Sequence, residues 1–185
     1  MTATRPNRTG KATGNDVVMT RPLSAKFIMQ HFRPQGTIMD PCRGDGAFHR
    51  LMPSGSDWCE ISEGRDFLKY SGSADWIVTN PPFSIFDIFL TKATEVADNI
   101  VFLCPPQKSF KSEKMERVIQ SFGGIREVVN MGHGRKHGFP FGFVVGCIHY
   151  QRGYRGDIKY TRAWELEEES LSLKARARVE RTPIR

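Results

Sequence analysis

Asp75-Trp76-Ile77-Val78-Thr79-Asn80-Pro81-Pro82-Phe83 is the stretch on which the reading of this 185-residue chain turns. Trp76, Ile77 and Val78 form a short apolar run suited to a buried strand, and two prolines end it, since a strand interior does not tolerate them. Asn80 therefore stands where a strand stops, followed by a rigid turn and an aromatic ring. In an open α/β sheet, ligands bind in the crevice beyond the carboxyl ends of the strands. Asn80 offers a side-chain carbonyl there, and the prolines fix the direction of free backbone carbonyls. Two such acceptors side by side suit an exocyclic NH2 group, and Phe83 suits stacking on the ring that bears it.

Outward from this point, strand and helix signals alternate. Leu23, Phe27, Ile28 and Phe32 recur at helical spacing between Pro22 and Pro34. Thr37 to Asp40 reads as a strand, Asp57 to Ile61 as a second, and Asp66 to Leu68 as a very short third. The opening stretch is the fourth, and Asp87 to Val96 reads as a helix with Ile88, Phe89 and Ala93 inward. Asn99 to Cys104 is a buried strand stopped by Pro105-Pro106, and Glu113 to Phe122 a helix with Gly123-Gly124 as its C-cap signal. Ile125–Asn130 and Phe143–Tyr150 flank a glycine-rich basic loop and read as an antiparallel hairpin. A further helix is expected from about Trp164 to Glu180. The pattern predicts an α/β fold with a mainly parallel sheet, organised as a flexible basic arm over 1–19, one domain over 20–150 and a polar, partly helical extension over 151–185.

Charge is unevenly placed. The net +7 divides into +5 over residues 1–36, −1 over 37–150 and +3 over 151–185. A near-neutral core with basic flanks fits a polyanionic partner such as nucleic acid. No apolar run has the length of a membrane span and no signal-peptide pattern opens the chain, so a cytoplasmic protein with no membrane partner is expected. Cys42, Cys59, Cys104 and Cys147 are widely spaced, and free thiols are expected. His133 and His137 have zinc-like spacing but no Cys or acid close by, so no metal is expected. With Lys108, Lys111, Arg135 and Lys136 they suit contact with a phosphate backbone instead.

The turn Asp40-Pro41-Cys42-Arg43-Gly44-Asp45-Gly46 follows a strand, and its glycines permit close approach of a ligand. It lacks the Gly-x-x-x-x-Gly-Lys-Ser/Thr of a phosphate loop and the full Gly-x-Gly-x-x-Gly of a dinucleotide site. Asp40 and Asp45 would repel a pyrophosphate and favour a ligand carrying positive charge. Glu60, at the end of the second strand, suits ribose hydroxyls, and Asp66, in the third, suits an adenine amino group. Together they describe a pocket for a nucleoside without phosphates.

These motifs, in this order, resemble the S-adenosylmethionine-dependent amino-methyltransferases that act on N6 of adenine. The resemblance runs from about Thr20 to Tyr150. It implies a Rossmann-like class I methyltransferase fold, with a mainly parallel seven-stranded sheet and a terminal antiparallel hairpin. Asp40 to Phe48 looks like the cofactor motif and Asn80-Pro81-Pro82-Phe83 like the catalytic motif. The segment after Thr20 looks like the one lying over the methionine end of S-adenosylmethionine. The implied cofactor-binding residues are Thr20, Asp40, Pro41, Cys42, Gly44, Gly46, Glu60, Asp66, Phe67 and Asn80. Phe139 and Phe141 are implied as the aromatic clamp on the face of the base opposite Phe83. The expected substrate is DNA, with a bacterial or phage setting; ribosomal or transfer RNA is the alternative, and a non-catalytic protein binding the cofactor or nucleic acid a second. No insertion is large enough for a target-recognition domain, so recognition is expected from the basic flanks or from a partner, a specificity subunit or a second copy.

Overall fold

The computed structural model describes residues 17–164. Helix α1 (Pro22–Phe32) is followed by β1 (Ile38–Asp40), β2 (Asp57–Trp58), β3 (Ala74–Thr79), α2 (Phe86–Val96) and β4 (Ala97–Cys104). Then come α3 (Glu113–Phe122), β5 (Gly123–His133), β6 (Val144–Arg152) and β7 (Lys159–Arg162). The seven strands form one sheet in the order β2-β1-β3-β4-β6-β5-β7. Only the pairs that β6 makes, with β4 and β5, are antiparallel. The mainly parallel Rossmann-like sheet with its antiparallel hairpin is therefore present.

Side-chain alternation along the strands builds two cores. Met39, Ile77, Ile100, Phe102, Ile148 and Tyr150 join the core that contains α2 and α3 residues. Their strand neighbours Ile38, Val78, Val101, Leu103 and Cys147 join the core that contains Ala25 and Ile28 of α1. Strands buried on both faces are what sustained apolar runs produce. All four cysteines are free, and three are buried. No helix among the described residues is long and apolar enough to cross a membrane.

Several local expectations are corrected. Asp66 to Leu68 is not a strand: Phe67–Lys69 is a 3-10 turn, capped by Asp66 accepting from the Leu68 N–H at 3.0 Å. β2 is only two residues long, so it supplies no ladder for a further strand. Ile88 and Leu23 face outward; Phe86, Phe89, Leu90 and Ala93 form the buried stripe of α2. Gly123 is the C-cap of α3 as expected, its N–H bonding to the Ile119 carbonyl, and it also begins β5, where a Cβ would run into the Gln151 carbonyl of β6. Glycine is needed for that close approach rather than for a left-handed cap. The last strand expected to end at Tyr150 runs on, as β6 continues to Arg152, and β7 extends the sheet beside β5. The helix expected from Trp164 to Glu180 falls, apart from Trp164, outside the described residues, as does the arm over 1–16.

Glu127 ties β7 and α1 to the sheet. It accepts from Thr161 Oγ1 at 2.6 Å and lies 2.9 Å from His31 Nε2 and 3.0 Å from Lys159 Nζ. Burial pushes its carboxyl up, but the hydrogen bonds from His31, Thr161 and Lys159 outweigh it and hold the pKa at about 2. A folded pKa below the ordinary 4.5 means that the stabilisation is present above about pH 4.5 and is lost as pH falls towards 2. Glu127→Gln should therefore melt below the parent protein at pH 7, with the gap closing between pH 4.5 and 2 in a series of thermal melts. A gap independent of pH would remove this role.

Candidate active site

The chain runs from β1 out to β2, then returns to place β3 on the other side of β1. The order thus reverses between β1 and β3, the point at which such sheets bind ligands. The glycine turn leaves the carboxyl end of β1 and Asn80-Pro81-Pro82-Phe83 leaves that of β3, so the two motifs face one crevice.

The Asp40 carboxyl joins the two strand ends from beneath. Its Oδ1 accepts from Thr79 Oγ1 at 2.8 Å and from the Cys42 N–H at 3.3 Å, while Oδ2 is buried without a partner. Complete burial raises its pKa to about 7, against the lowering by those two hydrogen bonds. Glu60 organises the turn from the other side. It accepts from the Gly44 N–H at 2.8 Å through Oε2, and from the Ser62 N–H and hydroxyl through Oε1. Burial raises its pKa, but the Ser62 and Gly44 bonds and Arg43 more than offset this and keep it ionised. Arg43 swings out of the turn: its guanidinium lies 3.8 Å over the Trp58 ring and pairs with Glu63. Arg65 lies 4.1 Å over the same ring and pairs with Asp57 at 2.6 Å.

A pocket of about 490 Å³ opens between these elements. Of the residues expected to hold a cofactor, Pro41, Cys42, Glu60, Asp66 and Phe67 line it, as does Pro82 of the second motif. Asp40, Gly44 and Gly46 shape the turn without lining it, and Thr20 is buried but does not line it either. Sequence reasoning missed Ile61, Leu68, Ile85 and Phe89, which supply the apolar walls. Ile61 is 68% exposed directly after Glu60, and an exposed branched chain beside a strand-end acid was the available signal.

Asn80 is held by the segment before α1. Its Nδ2 donates to the Val18 carbonyl at 3.0 Å, which settles the amide orientation and leaves Oδ1 as the acceptor to be presented. Met19 lies against Gly44, so residues 18–19 bridge the two motifs. Phe83, Phe139 and Phe141 are brought together. Phe83 stacks on Phe139 at 5.7 Å between centroids and 17° between planes, and Phe139 on Phe141 at 5.2 Å. A base sandwiched between two rings needs about 7 Å between them, so a base enters between Phe83 and Phe139 only as the loop carrying Phe139 moves away. Lys108 turns inward, donating to the Phe83 carbonyl at 2.9 Å, whereas Lys111, Arg135 and Lys136 are exposed. His137 is bonded to Ser24 Oγ and the Met131 carbonyl, and among the described residues no three potential metal ligands cluster.

No protein-family model and no curated protein sequence matches the chain. Solved structures do match its fold. A Listeria monocytogenes protein assigned to the class I S-adenosylmethionine-dependent methyltransferases superposes with a TM-score of 0.57 at 12% identity, over 92% of this chain and 73% of its own. The methyltransferase subunit of a type I restriction-modification system from Streptococcus thermophilus gives 0.58 at 12%, over 80% of this chain and 47% of its own. A protein from Pyrococcus horikoshii assigned as an RNA methyltransferase gives 0.53 at 13%, over 78% and 92%. At such identities the likeness is one of fold: the class I methyltransferase fold. This chain spans about half the length of the type I subunit.

The buried carboxyl gives the site a titration that can be read. With a folded pKa near 7, above the ordinary 3.8, Asp40 contributes stability that is full in acid and declines as pH rises through that window. Asp40→Asn keeps an oxygen for Thr79 and Cys42 but cannot ionise. Relative to it, the parent protein should lose melting temperature from about pH 4 to about pH 7 and stay level above. Parallel curves for the two proteins would show that Asp40 does not titrate in the fold.

Proposed function

We propose that this protein is an S-adenosylmethionine-dependent methyltransferase acting on N6 of adenine in DNA. The observation that carries this reading is Asn80: a side-chain acceptor at the switch point, its amide oriented by the Val18 carbonyl, beside a pocket bearing Glu60 and Asp66.

The pocket suits the cofactor on its own chemistry. About 490 Å³ lies within the usual range for small-molecule sites. Its carboxylates suit the ribose and amino groups of an adenosine and the positive charge of a sulfonium, and its apolar walls suit the adenine ring. Glu60 would hold the ribose hydroxyls, Asp66 the adenine amine, and Ile61, Leu68 and Phe89 would cover the ring. When bound, S-adenosylmethionine supplies an electrophilic methyl group.

The chain's own residues receive the second substrate. A base inside a duplex cannot reach a crevice, so the target adenine must be swung out of its stack. The Asn80 Oδ1 and the Pro81 carbonyl would accept the two N6 hydrogens and aim the nitrogen lone pair. Phe83 would stack on the ring, with Phe139 and Phe141 closing on its other face. Lys108, by holding the Phe83 carbonyl, fixes the turn on which both acceptors depend. The residues contribute position and electrostatics rather than a nucleophile.

Labelled methyl transfer to unmethylated duplex DNA and to total RNA, followed by nucleoside analysis, tests the reading. N6-methyladenine should appear in DNA, and Asn80→Ala should cut the rate on the order of a hundredfold or more while cofactor binding persists. Label in RNA alone would replace DNA with folded RNA as substrate. Cofactor binding without transfer to either would leave a binding protein.

A further inference from the structure

A second pocket of about 510 Å³ lies on the same edge of the sheet and shares no lining residue with the first. β5 and β7 run parallel to each other, and through β6 they share the direction of β3 and β4. Met131 and Gly132 near the end of β5, and Ala163 and Trp164 beyond β7, therefore stand at the carboxyl edge, where Asn80 also stands. Arg21, Leu23 and Phe27 close the pocket from α1, and Lys136 closes it from the basic turn. Leu23 is 81% exposed and Trp164 41% exposed, large apolar surfaces at the rim of this pocket.

The two pockets differ in charge. The first carries Glu60 and Asp66 together with Arg65; the second carries Arg21 and Lys136, and among the described residues no acidic side chain lines it. Aromatic faces beside cations are the combination that takes a nucleobase with its phosphate. The position agrees with this chemistry. Val18 binds the Asn80 amide, and Arg21, three residues on, donates to the Lys136 carbonyl at 3.0 Å. Three residues of chain span at most about 11 Å, so both sites lie within reach of neighbouring nucleotides on one strand.

We infer that this second pocket is a subsite for an unpaired nucleotide flanking the target, with Trp164 stacking on its base and Arg21 and Lys136 holding its phosphate. The inference rests on the reading of the chain as a nucleic-acid methyltransferase. It gives a compact chain with no inserted recognition domain a place to grip a strand beside the extruded base.

The test uses the full chain and a short labelled oligothymidylate, followed by fluorescence anisotropy. Thymine has no exocyclic amine, so the probe does not engage the Asn80 acceptors, and its binding is scored separately from methyl transfer. Trp164→Ala should weaken binding about tenfold, while Trp164→Phe, which keeps a stacking face, should retain most of it. Lys136→Ala should reduce the dependence of log affinity on log salt by about one. Oligothymidylate bound equally well by Trp164→Ala, or not bound by the parent protein while adenine methylation proceeds, would overturn the subsite and leave the catalytic reading standing. Binding that depends on Trp164 in a protein that methylates no nucleic acid would support the subsite and sink the catalytic reading.

Discussion

The hydrogen bond from Thr79 to the buried Asp40 carboxyl is the constraint on which the candidate site depends. Parallel strands β1 and β3 are joined along their length by backbone bonds, but their carboxyl ends diverge into separate turns. The Asp40–Thr79 bond closes that gap one residue before Asn80 and one residue before the glycine turn. It does so at a cost, since a fully buried carboxyl with one unpartnered oxygen resists ionisation. Such a group is justified by geometry rather than by net stability: it fixes the spacing between a turn that shapes the acidic pocket and a turn that presents an amide.

The same economy of parts shapes the walls. Where helices would ordinarily follow β1 and β2, the chain has 3-10 turns at His49–Leu51, Ile61–Glu63 and Phe67–Lys69. These turns bring Ile61, Asp66 and Phe67 to the pocket directly, capped by the side chains of Glu60 and Asp66 that also face it. The Gly44 and Ser62 N–H groups that bond to Glu60 hold it in place and favour its charged form. Arg43 and Arg65 stack on Trp58 and pair with Glu63 and Asp57, and from there the charge of Arg43 still helps to hold Glu60 ionised.

Much of this was legible in the sequence because it rests on short-range rules. Two prolines must end a strand, so Asn80 had to stand at a sheet edge; apolar runs of strand length had to be buried on both faces. What escaped depends on contacts between residues far apart in the chain. The bond from Asn80 to Val18 joins positions 62 residues apart, and nothing in the local pattern announces it. Leu23 fits the helical spacing of α1 yet faces outward, because spacing gives a stripe without its centre. β7 carries Lys, Tyr, Thr and Arg with no buried face, so the alternation that betrays a strand is missing; its pairing comes from β5 and from Glu127. The second pocket draws its lining from α1, β5, the basic turn and the segment after β7, and no window of sequence contains it.

Residues 18–21 connect these features mechanically. Val18 orients the Asn80 amide, Met19 rests on the glycine turn, and Arg21 holds the backbone of the basic turn whose continuation carries Phe139. Phe139 lies against Phe83 at a separation too small for an intervening base. On the proposed function, admitting a base would displace the Phe139 loop, which Arg21 joins through Lys136 to the segment whose Val18 bonds the amide. The amide is also fixed from below by the Asp40–Thr79 bond, one residue away, so the loop has a firm reference against which to move. Rigid strand ends below and a short strap above are the arrangement in which opening for a substrate and aligning its acceptors become one event rather than two.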